Sequence, residues 1–189
     1  MSNYLNKVHD FIFEPREVFS SLKSEPKLSQ GLFTLVWVSI FVHSLHYVLT
    51  ANILNVFWFL FTLINYIFGV IFSWFMAGLF FEYIAKIFGS SGRLKTILYL
   101  SSFAILPFLF LAPLELLKKG GDLGYFLGAI FEVIIYLWTM FLYCKSLEIT
   151  YDLKFSRAVM LIFLPFIATF FAISWAIGFY VNLFYIFNV

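Results

Sequence analysis

Residues 28 to 81 read LSQGLFTLVWVSIFVHSLHYVLTANILNVFWFLFTLINYIFGVIFSWFMAGLFF, 54 positions without an Asp, Glu, Lys or Arg. A membrane-crossing helix needs about 20 apolar residues, so the stretch holds two. Thr50, Ala51, Asn52 and Asn55 gather polar and turn-compatible side chains at its middle, which places the break there and the spans at about 32–51 and 56–81. Three further uncharged or nearly uncharged windows follow, giving spans at about 96–114, 124–144 and 158–187. The fourth is interrupted only by Glu132, and the last ends the chain as one long span or one broken near Gly178.

The whole composition agrees with that reading. Of 189 residues, 63% are hydrophobic, 28 are Phe and only 12% are charged. A soluble domain carries about 25% charged residues, so this chain lacks the charge to clothe a water-facing surface. The expected fold is an all-α integral membrane protein, a five-span transmembrane helix bundle preceded by a short interfacial amphipathic segment. Residues 1–30 form that N-terminal segment and 31–189 a single transmembrane domain. Net charge is +2 with no basic run longer than a pair, which argues against a nucleic-acid partner. Cys144 stands alone, so no internal disulfide forms. Its simplest role is a small packing residue, with palmitoylation at a span end as the alternative.

Basic residues set an orientation. Lys7, Arg16, Lys23 and Lys27, then Lys86, Arg93 and Lys95, then Lys145, Lys154 and Arg157 fall on one side of five spans, against Lys118 and Lys119 on the other. The N-terminus is therefore expected in the cytoplasm and the C-terminus outside. In the tail, Leu5, Val8, Phe11, Ile12, Val18, Phe19 and Leu22 recur at helical spacing, and Pro15 suits the first turn of a second short helix. Such a segment anchors the first span in the interface or recruits a protein partner through residues 1–27 and the cytoplasmic loops. Glu82 marks the membrane boundary as a readily solvated charge.

Polar residues within spans are the candidate functional positions. Tyr125, Gly128, Glu132, Tyr136, Thr139 and Tyr143 share one face of span 4, Ser39, His43, His46, Tyr47 and Thr50 form a stripe on span 1, and Thr62, Asn65, Tyr66, Gly69 and Ser73 form one on span 2. Counted from the cytoplasmic ends, His43, Pro107 and Glu132 lie at one depth. A candidate polar layer of Glu132, His43, His46, Tyr136 and Asn65 follows, with a loosened backbone at Pro107. The layer fixes helix packing, relays ions or protons as in a small transporter or permease subunit, or, with His43, His46 and Glu132 as ligands, holds a metal. No zinc-protease, nucleophile-elbow or phosphate-loop motif occurs, so the chain is read as non-enzymatic, with no cofactor and no resident metal.

Residues 79–110, LFFEYIAKIFGSSGRLKTILYLSSFAILPFLF, join span 2 to span 3. A helix ends in a Gly-x-x-Gly loop with a basic residue, and the next helix reaches a mid-span Pro after small residues: Gly89, Gly92, Lys95, Ala104 and Pro107. Trp138, then Ser156, Arg157, Ala158 and Pro165, continue the pattern, and FIFEPREVFSSL at 11–22 opens it. The chain resembles the YIP family, membrane proteins first grouped as interactors of Ypt and Rab GTPases. The resemblance implies five spans with a cytoplasmic N-terminus. The tail of about 30 residues before the bilayer is similar to the prokaryotic branch and implies a plasma-membrane location. The functional expectation is a scaffold or membrane-organising, trafficking-type factor that works through protein or lipid contacts in the bilayer, with a homo-oligomer as one form of such contact.

Overall fold

A computed structural model describes residues 15–50, 55–90 and 93–187. Every regular element among the described residues is helical. The short α1 (Pro15–Lys23) leads into α2 (Leu28–Thr50) and α3 (Val56–Ile87). Then follow α4 (Leu94–Ala104), a 3-10 segment (Leu106–Phe110) and α5 (Leu111–Lys118), which together make one broken crossing. The long α6 (Asp122–Tyr151) and α7 (Phe155–Phe187) complete the chain. Four of these units, Leu28–Thr50, Val56–Ile87, Leu94–Lys118 and Asp122–Tyr151, are long and apolar enough to cross a membrane. The fifth, α7, runs 33 residues.

The break between the first two long helices lies where the polar residues gather, and Asn55 caps α3 by accepting a hydrogen bond from the Trp58 amide at 3.1 Å. Residues 51–54 lie outside the described part. Pro107 acts as expected from its missing amide hydrogen: the α-helix ends at Ala104 and the chain continues as a 3-10 turn with Pro107 in its first turn.

The centre of the bundle is α4. Every residue from Thr96 to Ala104 is buried, and Tyr99, Leu100, Phe103 and Ala104 join Leu35, Val38, Trp74 and Leu142 in the main core. Trp74 spends its indole N–H on α4, 3.1 Å from both the Leu98 carbonyl and Ser101 Oγ, as a polar tip buried in apolar surroundings must. Two glycines set the close approach of the flanking helices. A Cβ on Gly31 of α2 would lie 2.7 Å from Ser102 Oγ, and one on Gly78 of α3 would lie 2.4 Å from Leu98 Cδ2.

Helix α1 is amphipathic, and its apolar side turns toward the bundle. Phe19 is fully buried and Leu22 nearly so, both in the main core. The apolar positions Leu5, Val8, Phe11 and Ile12 lie outside the described residues. A second core cluster, Ala85, Ile97, Cys144, Leu147, Tyr151, Ala158 and Leu161, joins α3, α4, α6 and the first turns of α7 at the same end of the molecule. Cys144 is thus a buried packing residue.

Candidate functional site: a charge clasp at one end of the bundle

The loop between α3 and α4 is built by local backbone chemistry. Gly89 has φ +81°, the left-handed conformation that glycine adopts without penalty. The Ser90 amide donates to the Ala85 carbonyl and the Gly89 amide to Lys86, each at 3.0 Å, the paired closure of a Schellman C-terminus. The turn brings Arg93 back over the last turns of α3. There its amide donates to Glu82 Oε2 at 2.9 Å, the Tyr151 hydroxyl donates to the same oxygen at 2.9 Å, and Lys86 Nζ stands 3.3 Å from Oε1. Glu82, only 6% exposed, is therefore a satisfied buried carboxylate. The expectation that it is a solvated boundary charge is corrected by these three partners, two of which come from other parts of the chain.

The Arg93 side chain extends the same connection. Its Nη1 donates to the Thr150 carbonyl at 3.0 Å and to Asp152 Oδ2 at 2.9 Å. Asp152 ends α6 in the left-handed region, φ 54°, a conformation its short polar side chain tolerates. Its other oxygen accepts from Lys23 Nζ of α1 at 2.6 Å. Lys23, with Arg93 behind it, holds the Asp152 carboxyl below its ordinary pKa. The N-terminal helix and the two loops that follow α3 and α6 are thus closed into one surface. Sequence reasoning counted Lys23 and Arg93 for orientation only and passed over Tyr151 and Asp152. The available signal was an acid in a three-residue turn between two long helices, on the side that carries most of the basic residues.

The expected polar layer is divided in two. Glu132 pairs with Lys118 Nζ at 2.6 Å, and Glu115 stands 3.5 Å from the same ammonium. The stem of Lys118 crosses Gly128, where a Cβ would meet its Cγ at 2.6 Å. His43 instead contacts Thr62 Oγ1 through Nε2 at 3.1 Å and stacks on Tyr66 at 5.1 Å. Tyr136 lies beside Glu132 on α6 and packs edge-on against Phe108 at 5.7 Å. Asn65 donates to the Phe61 carbonyl at 2.8 Å on its own helix, and His46 is exposed. The structure therefore gives Glu132 a lysine partner and His43 a threonine partner. Depth alone placed His43 and Glu132 together, because it ignored the reach of Lys118 from the neighbouring hairpin. Among the described residues no three His, Cys, Asp or Glu side chains are close enough to hold a metal ion.

The sequence pattern of the Yip1 domain matches residues 10–176. The chain belongs to the Yip1 family. None of the curated proteins and none of the solved structures compared with it matches. As a Yip1 protein it is a multi-pass integral membrane protein, and its motif positions have distinct surroundings here. Gly89 shapes the clasp loop, Gly92 lies outside the described residues, and Lys95 is exposed as the second residue of the Yip1 core helix α4. Pro107 starts the 3-10 break, Pro165 lies inside α7, and Trp138 packs on Phe141 at 5.5 Å.

Proposed function

We propose that the chain is a non-enzymatic membrane scaffold of the trafficking type, which presents the clasp end of its bundle to a protein or lipid partner in the cytoplasm. The supporting observation is the linkage Lys23–Asp152–Arg93, with Glu82 buried beneath it. Such a linkage holds three separate chain segments in one fixed surface, which a docking platform requires and a passive anchor does not. The excess of basic residues at this end supports a cytoplasmic N-terminus and an outside C-terminus. The transport reading gains nothing from Glu132, whose charge is closed off by Lys118.

The test is site-specific photo-crosslinking in native membranes, with the probe at Lys27, Lys95 or Lys154 on the clasp end and at Gly120 on the opposite end. Discrete adducts from the clasp end alone, lost when Arg93→Ala is added to a chain that still folds, are expected. Equal adducts from both ends, or adducts indifferent to Arg93→Ala, overturn the proposal.

A further inference from the structure

Beside the clasp, a cavity of about 360 Å3 lies between the end of α3 and the first turns of α7, lined by Phe88, Leu153, Arg157, Met160, Leu161 and Leu164. All six are described residues. The volume falls within the range of small-molecule sites, about 300–1,000 Å3. Five of the lining residues are apolar and the sixth is a cation, with no carboxylate among them.

The sequence explains the arrangement. Arg157, Met160, Leu161 and Leu164 stand at i, i+3, i+4 and i+7, so one face of α7 supplies them. Leu161 is buried in the second core cluster and holds that face to the bundle. Phe88 caps α3 from the other side. Phe88 and Met160 are 63% and 70% exposed, so both form an accessible rim.

The change of polarity along the cavity follows the bilayer. Arg157 is the third residue of α7, at the clasp end, and Leu164 lies about 10 Å deeper at 1.5 Å per residue. Side chains on a helix lean toward its N-terminus, which carries this guanidinium toward the headgroup level. A free phosphate would meet the cation alone. A phospholipid matches both ends, with its phosphate on Arg157 and an acyl chain along Met160 and Leu164.

The charge of Arg157 is also uncommitted. At this end Lys23 and Arg93 are engaged by Asp152, Lys86 by Glu82 and Lys145 by Glu148. Among the described residues no acid pairs with Arg157, whose side chain is exposed. A planar guanidinium in that state suits the oxygens of a phosphate, and the carboxylate-free lining adds no repulsion.

We propose that this cavity binds one anionic phospholipid, headgroup phosphate on Arg157 and acyl chain against the α7 face below it. The site requires the membrane fold and not the scaffold reading, since a chain that docks no protein at the clasp would still hold the lipid.

The test is native mass spectrometry of the full chain, delipidated in detergent and titrated with dioleoylphosphatidylglycerol or dioleoylphosphatidylcholine. One bound phosphatidylglycerol is expected, held about fivefold more strongly than phosphatidylcholine, the scale of one basic side chain acting on an anionic lipid. Arg157→Gln should remove that preference, and Lys27→Gln, an exposed cation at the same end but outside the cavity, should keep it. Equal binding of the two lipids by the wild type overturns the proposal, as does a preference that survives Arg157→Gln or falls equally in both variants. A phosphatidylglycerol with a diazirine on its acyl chain locates the tail in the wild type, whatever the variants do. Adducts on residues 153–164 are expected, and adducts confined to other segments overturn the proposal. Excess glycerol 3-phosphate should leave the lipid in place, whereas displacement would mark a free-phosphate site and overturn it as well.

Discussion

At the scale of single residues, a carboxylate near the membrane boundary has two ways to lower its cost, hydration or partners, and Glu82 has taken partners. Removing the carboxylate leaves the Arg93 amide and the Tyr151 hydroxyl without this acceptor, a loss of about 1–3 kcal/mol. Glu82→Ala should therefore lower the thermal unfolding temperature in detergent. Glu82→Gln should cost less, because it keeps a side-chain acceptor and gives up chiefly the charge attraction to Lys86, whose side chain is 59% exposed. Equal losses for the two variants would show that the charge matters more than the hydrogen bonds. Asp152 supplies a pH dependence. Its folded pKa is depressed by Lys23 and Arg93, so the pairing contributes stability above the unfolded value of about 3.9, which is lost as pH falls through the folded value. With its side chain 67% exposed, the contribution stays below about 1 kcal/mol. Acid should loosen α1 in the wild type, as followed by labelling of a cysteine introduced at Ser20, and Asp152→Asn should already be loose at pH 7.

At the scale of elements, the helices were legible because charge-free length is a direct statement about the bilayer. The break at Asn55 and the disruption at Pro107 were legible too, since capping and a missing amide hydrogen are local properties. The packing of α5 against α6 was not, because it rests on what fits between two backbones. A Cβ on Gly124 would lie 2.4 Å from the Leu117 carbonyl oxygen, and a backbone atom has no rotamer by which to move aside. Gly124→Ala should force the hairpin apart at a cost of about 1–3 kcal/mol and pull Lys118 from Glu132. The check is thermal unfolding together with the reactivity of Lys118 toward an amine-modifying reagent, which should rise. Unchanged reactivity and stability would mean that the hairpin is slack at this point. The same limit explains the misplaced polar layer: residue counting gives depth along a helix, whereas partner choice depends on which neighbour's long side chain reaches across.

At the scale of the molecule, the bundle is organised around α4, with lipid-facing apolar helices outside it and the charge clasp at one end. Family membership and composition establish the membrane fold. The clasp was hidden from the sequence because its parts, Lys23, Glu82, Arg93 and Asp152, are separated by up to 129 positions and each looks like an ordinary loop charge. Only the fold shows that they meet. Its consequence is cooperative: beyond the burial of Phe19 and Leu22, α1 should be steadied by the α6 turn and the α3–α4 loop together, and losing either should loosen it. Amide hydrogen exchange of the Phe19–Leu22 segment in liposomes tests this most directly. Strong protection in the wild type that falls by up to about fivefold in Asp152→Asn and at least as far in Arg93→Ala, with α4 still protected, is the predicted result, and rapid exchange of that segment in the wild type would contradict the account.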